Sequence, residues 1–493
     1  MKDGFHLEEL KITNREKIIF DVKFLDQDQE LNNQLFTTVI IGANGAGKSY
    51  LLALIVEIFR AIENRKNNKE LSLRYDSYYL KYYFGKQCYT VEIYKKKFKL
   101  MKNQEIVNIN QVAMPLKVLA VSFMINDKFI FKADNKDSQD IYEYLGTRRT
   151  SNATWTNSIV RKVSEALIEN VEKPGFYKKV KEILEFLKFK PKITIVFEPD
   201  RKTLFTRKMS LQVLEGKINK IKHSREYRAF SINKYQQEDI LDLYKFINET
   251  SKDRLKANVN NKVGIEYTID LERVESNKPL FLDNDPLQKL MDLKLLNSPM
   301  LKLHKDDEFD FEFASSGEKQ FLYTMINIAS KLEQNSLVLI DEPELSFHPN
   351  WQMTYINYLK KIFRDYPTCH FLLATHSHYI VSDLQPSSSS LVILDTINEE
   401  KNVRKAELVT YSTYAWSAEN ILYNIFQVRT TRNYYFEMDL RRLVGAVKNK
   451  TQNIDELSSL INKLKGFVFD ELDPINIIIQ DAERYLSHVR KVE

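Results

Sequence analysis

"TTVIIGANGAGKSYLLALIVEIF", residues 37–59, passes from one apolar run through a glycine-rich turn into another. The first run, "FTTVII" from Phe36 to Ile41, is short and continuous, as a buried strand is. In the second, Leu51, Leu54, Ile55, Ile58 and Phe59 recur at three- and four-residue spacing, which predicts a helix from Tyr50 to about Ile62 with one apolar face. Between them "GANGAGKS", Gly42–Ser49, places three of the chain's 12 glycines within six positions. Backbone that must curl tightly and bring its N–H groups onto phosphate oxygens needs that residue type, and the following helix start adds partial positive charge. In this strand–loop–helix setting the stretch reads as a phosphate loop, with Gly42, Asn44, Gly45, Ala46, Gly47, Lys48, Ser49 and Tyr50 around a nucleotide. Lys48 is expected to reach the β- and γ-phosphates and to assist catalysis, and the Ser49 hydroxyl to bind Mg²⁺.

A second informative stretch is "SLVLIDEPELSFHP", Ser336–Pro349, where an apolar strand ends in Asp341 and Glu342. An aspartate at the carboxyl end of a buried parallel strand is placed to hold Mg²⁺, and the adjacent glutamate to polarise an attacking water. Further on, "HFLLATHSH" sets His376 just past another apolar strand, where an imidazole reaches a γ-phosphate or the attacking water. His378 and His348 lie nearby, but no accompanying acid or cysteine spacing makes these histidines a metal site.

Composition limits the remaining classes. At 493 residues and 43% hydrophobic, the chain is long enough for two or three domains. Its 73 Lys and Arg against 67 Asp and Glu leave +6, too small an excess to imply nucleic-acid binding unless the charges cluster. The two cysteines, Cys88 and Cys369, are far apart in apolar or aromatic surroundings, which fits a reducing cytoplasm and gives neither a disulfide framework nor a zinc site. "MKDGFHLEELKI" lacks a signal-peptide core, and "LLALIVEIF", interrupted by Glu57, is too short to span a bilayer, so a cytoplasmic location is expected.

The pattern along the chain is α/β. Alternating runs open it, "LSLRYDSYYLKYYF" and "QCYTVEIYKKKFKL" flank Gly85 as a hairpin would, and "PLKVLAVSF" reads as another buried strand; this lobe is expected to span 1–150. Residues 151–310 read as an inserted, mainly helical region with strands such as "KITIVFEP" and "VGIEYTIDL", and no sustained heptad pattern runs through it. Residues 311–410 alternate helix and strand, and 411–493 are helical and charged.

"SSGEKQ", ahead of the Asp-Glu strand, is the more specific signal. Ser315 has the residue type of a helix cap, and Gly317 allows backbone to approach a ligand, so this helix start suits an anion. With one loop already wrapping the nucleotide, a second phosphate-binding start, Ser315, Ser316 and Gly317, is expected to cover the γ-phosphate of a nucleotide held by another copy. A capped helix with no ligand is the plainer alternative.

In that order, "GANGAGKS", "SSGEKQ", "LVLIDEPE" and "ATHSH" resemble the Walker A, signature, Walker B and histidine-switch motifs of ABC-type ATPases, in the soluble branch with chromosome-maintenance, RecF-like and OLD-like proteins. The resemblance implies an ATPase head with a mixed β lobe and a parallel-sheet core, ATP and Mg²⁺ as cofactors, and a head-to-head dimer around two nucleotides. It also implies Glu342 acting in cis and Ser315 with Gly317 acting in trans. Ala314 and Ser316 depart from the usual Leu and Gly of the signature. No Q-loop glutamine is evident, Ser122 and Asn126 standing in the expected region.

Within the branch, 267 positions separate Lys48 from Ser315, more than transporter ATPases use, and the 117 residues after His376 contain no Asp-x-Asp pair of the Toprim type. "STYAWSAENILYNIFQVRTTR" and "DELDPINIIIQDAERYL" are similar to the tails of stand-alone anti-phage ATPases, the PtuA ATPases of Septu and retron systems and, less closely, the PARIS ATPase. That similarity implies a slow ATPase gating a separate effector, such as an HNH nuclease, with a reverse transcriptase and its RNA–DNA as further partners. A RecF-like DNA-repair ATPase and an assembly scaffold with little turnover are the alternatives. Residues 201–230 carry nine Lys or Arg against two Glu, with Phe205, Tyr227 and Phe230 interleaved, which reads either as a nucleic-acid contact or as a solvated face.

Overall fold

The computed structural model describes residues 3–26, 32–70, 72–124, 126–131, 140–147, 155–170, 173–222, 236–250, 255–257, 263–305, 308–382, 384–398, 403–410, 413–426, 428, 432–449, 453–467 and 473–492. It begins with strands β1 (Phe5–Asn14), β2 (Lys17–Lys23) and β3 (Phe36–Ile41), the glycine-rich loop, and helix α1 (Lys48–Lys66). Strands β4 (Ser77–Phe84), β5 (Gln87–Tyr94), β6 (Lys97–Lys102), β7 (Glu105–Ile106), β8 (Val118–Ser122) and β9 (Tyr142–Tyr144) follow. The middle of the chain holds α2 (Trp155–Glu169), α3 (Pro174–Phe186), β10 (Lys192–Phe197), α4 (Leu211–Lys222), α5 (Gln237–Glu249), β11 (Leu255–Ala257), β12 (Val263–Asp270), α6 (Lys278–Asp292), β13 (Met300–His304) and β14 (Glu308–Asp310). After these come α7 (Ser316–Lys331), β15 (Leu337–Asp341), α8 (Pro349–Ile362), β16 (His370–Ala374), α9 (His378–Val381), β17 (Ser389–Asn398) and β18 (Val403–Leu408). The last helices are α10 (Ala418–Asn424), α11 (Tyr434–Lys448), α12 (Ile454–Lys465) and α13 (Ile475–Val492).

The fold is α/β, with a parallel-sheet core. Its seven-stranded sheet has the order β18-β17-β3-β16-β15-β8-β9, parallel throughout except for the antiparallel edge strand β18. A six-stranded antiparallel sheet, β2-β1-β4-β5-β6-β7, forms a second layer. Helix α1 belongs to one apolar core with both sheets: Leu51, Leu54, Ile55, Ile58 and Phe59 share it with Leu339 and Leu372 of one and with Phe5, Leu80 and Tyr82 of the other. Leu52 and Val56, off the face marked out by the sequence spacing, are therefore buried as completely as the rest. A helix packed from two sides is apolar almost all round. Its interior acid, Glu57, is held by the Tyr78 hydroxyl at 2.7 Å, the Arg74 N–H at 2.9 Å and Arg74 Nε at 3.0 Å, so the buried charge is paired.

Two features were not visible in the sequence pattern. The run "QCYTVEIYKKKFKL", expected as one arm of a hairpin, is two strands, β5 and β6, folded at Lys95 and Lys96 with φ of 46° and 66°. Tight two-residue turns of this kind usually announce themselves by Asn-Gly or Gly-Gly, and two lysines conceal it. The middle region's helices are accompanied by a five-stranded antiparallel sheet, β11-β12-β10-β13-β14, of which the sequence showed only individual strands. Helices α2 and α3 pack on α7.

The chain divides into two compact units, Met1–Ala415 and Trp416–Glu493. The second has its own core, in which Leu443, Leu457, Leu460, Ile461, Leu464 and Ile479 of α11, α12 and α13 meet. Among the described residues, no helix is long and apolar enough to cross a membrane.

Candidate functional site

Three adjacent strands of the central sheet carry the three motifs. β3 leads into the glycine-rich loop, β16 into His376, and β15 ends in Asp341; Ile40 pairs with Ala374, and Ala374 with Asp341, so all three end level. Parallel strands put these ends on one edge, where open α/β sheets bind their ligands. Sequence motifs some 300 residues apart thereby converge.

Gly47 begins α1 in the left-handed region, with φ of 96°, and Gly45 has φ of 84°, so the loop uses glycine where other residues would be strained. Lys48 is buried and points its ammonium inward, donating to the Gly42 carbonyl at 2.9 Å and to His376 Nε2 at 2.6 Å. Burial lowers the pKa of Lys48, opposed by the nearby Glu342, Glu344 and Asp341. His376 is also held below its usual pKa, by burial and then by the Lys48 charge, so its ring stays neutral near pH 7 and accepts from the ammonium. Its Nε2 lies 3.8 Å from Glu342 Oε1. Glu342 itself has φ of 50°, an uncommon backbone for a non-glycine residue, while its N–H still bonds to Ala374. The strand thus ends by turning the glutamate off the line of Asp341.

Asp341 is 2% exposed, and neither carboxylate oxygen completes a hydrogen bond with protein. Burial pushes its carboxyl up to about 7; the Ser49 hydroxyl favours the charged form, without reaching hydrogen-bonding geometry, and Glu342, Asp127 and Glu344 add repulsion. A buried carboxylate without a partner beside a hydroxyl offers hard oxygen ligands of the kind that phosphate oxygens and waters would complete around a divalent cation. Asp341 and Ser49 therefore fit Mg²⁺.

The second predicted helix start packs on the loop that follows Asp341 and Glu342. Ser315 is the N-cap of α7: its hydroxyl accepts from the Glu318 N–H at 3.2 Å, and its own N–H donates to Glu318 Oε2 at 2.8 Å, a capping box. Ser315 and Ser316 are exposed. Gly317 is buried, and a Cβ there would lie 2.7 Å from the Ser346 carbonyl oxygen, so packing against the loop after β15 by itself already calls for glycine here. Gln320 adds a second tie to that loop, donating to the Pro343 carbonyl at 3.1 Å.

Several residues at the site carried no readable signal. Glu344 accepts the His376 N–H at 2.5 Å and so fixes the loop that holds the imidazole. Ser122 ends β8 opposite Asp341 and accepts from the Met124 N–H, while Asn126 is exposed; it is Asp127, buried and bonded to the Tyr144 hydroxyl and the Phe129 N–H, whose charge reaches Asp341. Strands β17 and β18 brace the glycine-rich loop, since Cβ atoms at Gly42 and Gly47 would meet the Leu394 carbonyl oxygen at 2.1 Å and Arg404 Nε at 2.6 Å. The other two histidines have local roles: His348 caps α8, and His378 opens α9.

Of the basic segment, residues 201–222 are described; Tyr227 and Phe230 lie outside the described residues. Within it Arg201 and Lys217 line a pocket with Lys294 and Asp200, and Lys217 is lowered by burial and by the Arg201 charge.

A family model described as an AAA ATPase domain matches residues 7–381. The chain belongs to that family. It is similar to the Septu protein PtuA of Bacillus thuringiensis, 29% identical over 141 residues, which is 26% of this chain and 34% of the relative. It is also similar to the Retron Vc95 probable ATPase of Vibrio cholerae serotype O1 biovar El Tor, 29% identical over 153 residues, 28% of each chain. The matches thus span about a third of the length of these curated relatives. Among solved structures it resembles an Smc head domain from Pyrococcus furiosus bound to the C-terminal domain of ScpA, at TM-score 0.33 and 11% identity, covering 86% of this chain and all (100%) of that one. The SMC head domain from Thermotoga maritima matches at TM-score 0.36 and 10% identity, covering 82% and 100%. Those overlaps are too loose to argue from, and the fold rests on the strand order itself.

Proposed function

We propose that this chain binds Mg-ATP at the β3–α1 loop and hydrolyses it slowly, completing each site with the α7 start of a second copy. In the cell it would control a separate effector in an anti-phage system, as its similarity to the Septu and retron proteins favours. The observation that carries the catalytic part is the meeting of Lys48 with His376, at 2.6 Å, beside the level ends of three neighbouring strands, one of which ends in Asp341.

The roles follow from the surroundings. Lys48 exchanges its contacts with Gly42 and His376 for β- and γ-phosphate oxygens, neutralising charge that grows during phosphoryl transfer. Ser49 and Asp341 would hold Mg²⁺, whose chemistry there would be to offset charge on the phosphate oxygens. Glu342 orients the attacking water and takes up its proton, and His376, kept neutral, hydrogen-bonds to the γ-phosphate. Slow turnover is expected because Ser315 and Ser316 are exposed on a helix start that one chain leaves facing outward, beside Phe313, which is 75% exposed. A second copy's nucleotide is the anion that such a start suits.

The experiment is a steady-state phosphate-release assay on the parent chain and on Glu342→Gln. Release by the parent, reduced at least about 100-fold in the variant with ATP binding intact, supports the reading. A parent that binds ATP yet releases nothing favours the assembly scaffold, and stimulation by DNA ends without any partner protein favours the RecF-like alternative. Nucleic-acid contact through residues 201–230 would make affinity fall steeply with salt, and a flat salt dependence removes it.

A further inference from the structure

The roles above account for the phosphate side of the nucleotide and leave one cation at the loop unused. Arg404 projects from edge strand β18, two strands away from β3 in the sheet, and reaches back to the loop. Its Nε lies 2.6 Å from where a Cβ on Gly47 would fall, and this nitrogen is buried with no hydrogen-bond partner. Its guanidinium sits 4.9 Å from the Phe20 ring centre and 6.0 Å from that of Tyr50. Phe20 is completely buried, so it acts as a floor for the guanidinium. Tyr50 is the residue directly after the predicted Mg²⁺-binding Ser49; its hydroxyl bonds to the Tyr75 hydroxyl at 2.9 Å, and Arg74 lies 5.5 Å from its ring. Arg404 also lines a groove of about 760 Å³ between β2 and β18.

We propose that Arg404, laid on Phe20 beside Tyr50, is the seat of the nucleobase of the bound nucleoside triphosphate. The inference rests on the reading of Gly42–Ser49 as the phosphate site. A nucleotide whose phosphates lie in that loop would leave it by the first turn of α1, where Tyr50 stands with Arg74 and Arg404 at 5.5 and 6.0 Å from its ring centre. A planar guanidinium fixed by an aromatic floor presents its face to a flat π-system, and such stacking tolerates any base. A Cβ at Gly47 would have to shift the Arg404 side chain, so glycine there leaves the guanidinium undisturbed on its floor.

The test is calorimetric titration of the full chain and of Arg404→Ala and Arg404→Lys with Mg-ATP and, separately, with Mg-tripolyphosphate. The expected result is that Arg404→Ala weakens Mg-ATP about tenfold or more, as loss of one stacked base does, while tripolyphosphate affinity stays within about twofold. Unchanged tripolyphosphate binding also shows that the loop is still folded. Arg404→Lys keeps the charge but not the plane and is expected to behave like the alanine variant. Equal weakening of both ligands, no weakening of either, or full recovery by lysine overturns the proposal. A parent that binds tripolyphosphate as tightly as ATP overturns it while leaving the phosphate site standing, whereas a parent that binds neither overturns the phosphate site and the base seat together.

Discussion

Asp341 is held at a disadvantage that a proton or a cation relieves: it is buried, repelled by neighbouring acids, and lacks a hydrogen-bond donor. Its folded-state pKa, raised to about 7 from 3.8, means that the cost is absent below 3.8, builds as pH rises from 3.8 to about 7, where the unfolded chain has already lost the proton, and is fully present above that. Asp341→Asn is therefore expected to raise the melting temperature by roughly 2–5 °C at pH 8 without Mg-ATP and by much less at pH 5. The same substitution should remove the added stabilisation that Mg-ATP gives the parent, and in the parent that stabilisation should shrink as pH falls from 8 to 6, because protons compete with the cation for the carboxylate. Thermal melts across that range check both statements. The residues whose type is dictated by phosphate chemistry could be picked out in the sequence, Lys48 and Ser49 by the glycine-rich loop that holds them and Asp341, Glu342 and His376 because each follows an apolar run. Glu344, Asp127 and Arg404 could not, since their relevance arises only when distant strands are brought together.

Among the elements, α7 has the most to coordinate. Its first turn faces outward at Ser315 and Ser316, Gly317 and Gln320 tie it to the loop after β15, and Tyr323 donates to the Leu145 and Gly146 carbonyls at 2.9 and 3.0 Å. Phe186 of α3 joins Phe321 of α7, at 4.4 Å between ring centres, to Tyr358 of α8 at 4.1 Å, so the middle region bears directly on this helix. Gly317→Ala, forced against the Ser346 carbonyl, should tilt the α7 start away from the β15 loop. The expectation is Mg-ATP affinity within about twofold of the parent, since the glycine-rich loop is untouched, with hydrolysis reduced at least about tenfold because the second copy's contribution is misplaced. Titration and phosphate release measure the two separately. Gly42→Ala, pressed against the Leu394 carbonyl, should instead lose Mg-ATP binding itself. Strands and helices were readable from their periodicity, but their assembly into sheets was not: pairing of β3 with β16 and β17 joins segments over 300 residues apart, which no local pattern encodes.

For the whole molecule, the two compact units have separate cores, and every residue assigned to the nucleotide lies before Ala415. A chain ending at residue 415 is expected to keep its Mg-ATP affinity within about threefold, which titration of the truncated protein checks. The central claim is that two copies share the nucleotide, and it is tested most directly by light scattering on Glu342→Gln with and without saturating Mg-ATP. The account predicts that nucleotide doubles the particle mass relative to the sample without it, in steps of the 58.2 kDa chain, and that Gly317→Ala in the same background prevents the doubling. A mass that Mg-ATP leaves unchanged, in a protein shown by titration to have bound it, would contradict the account.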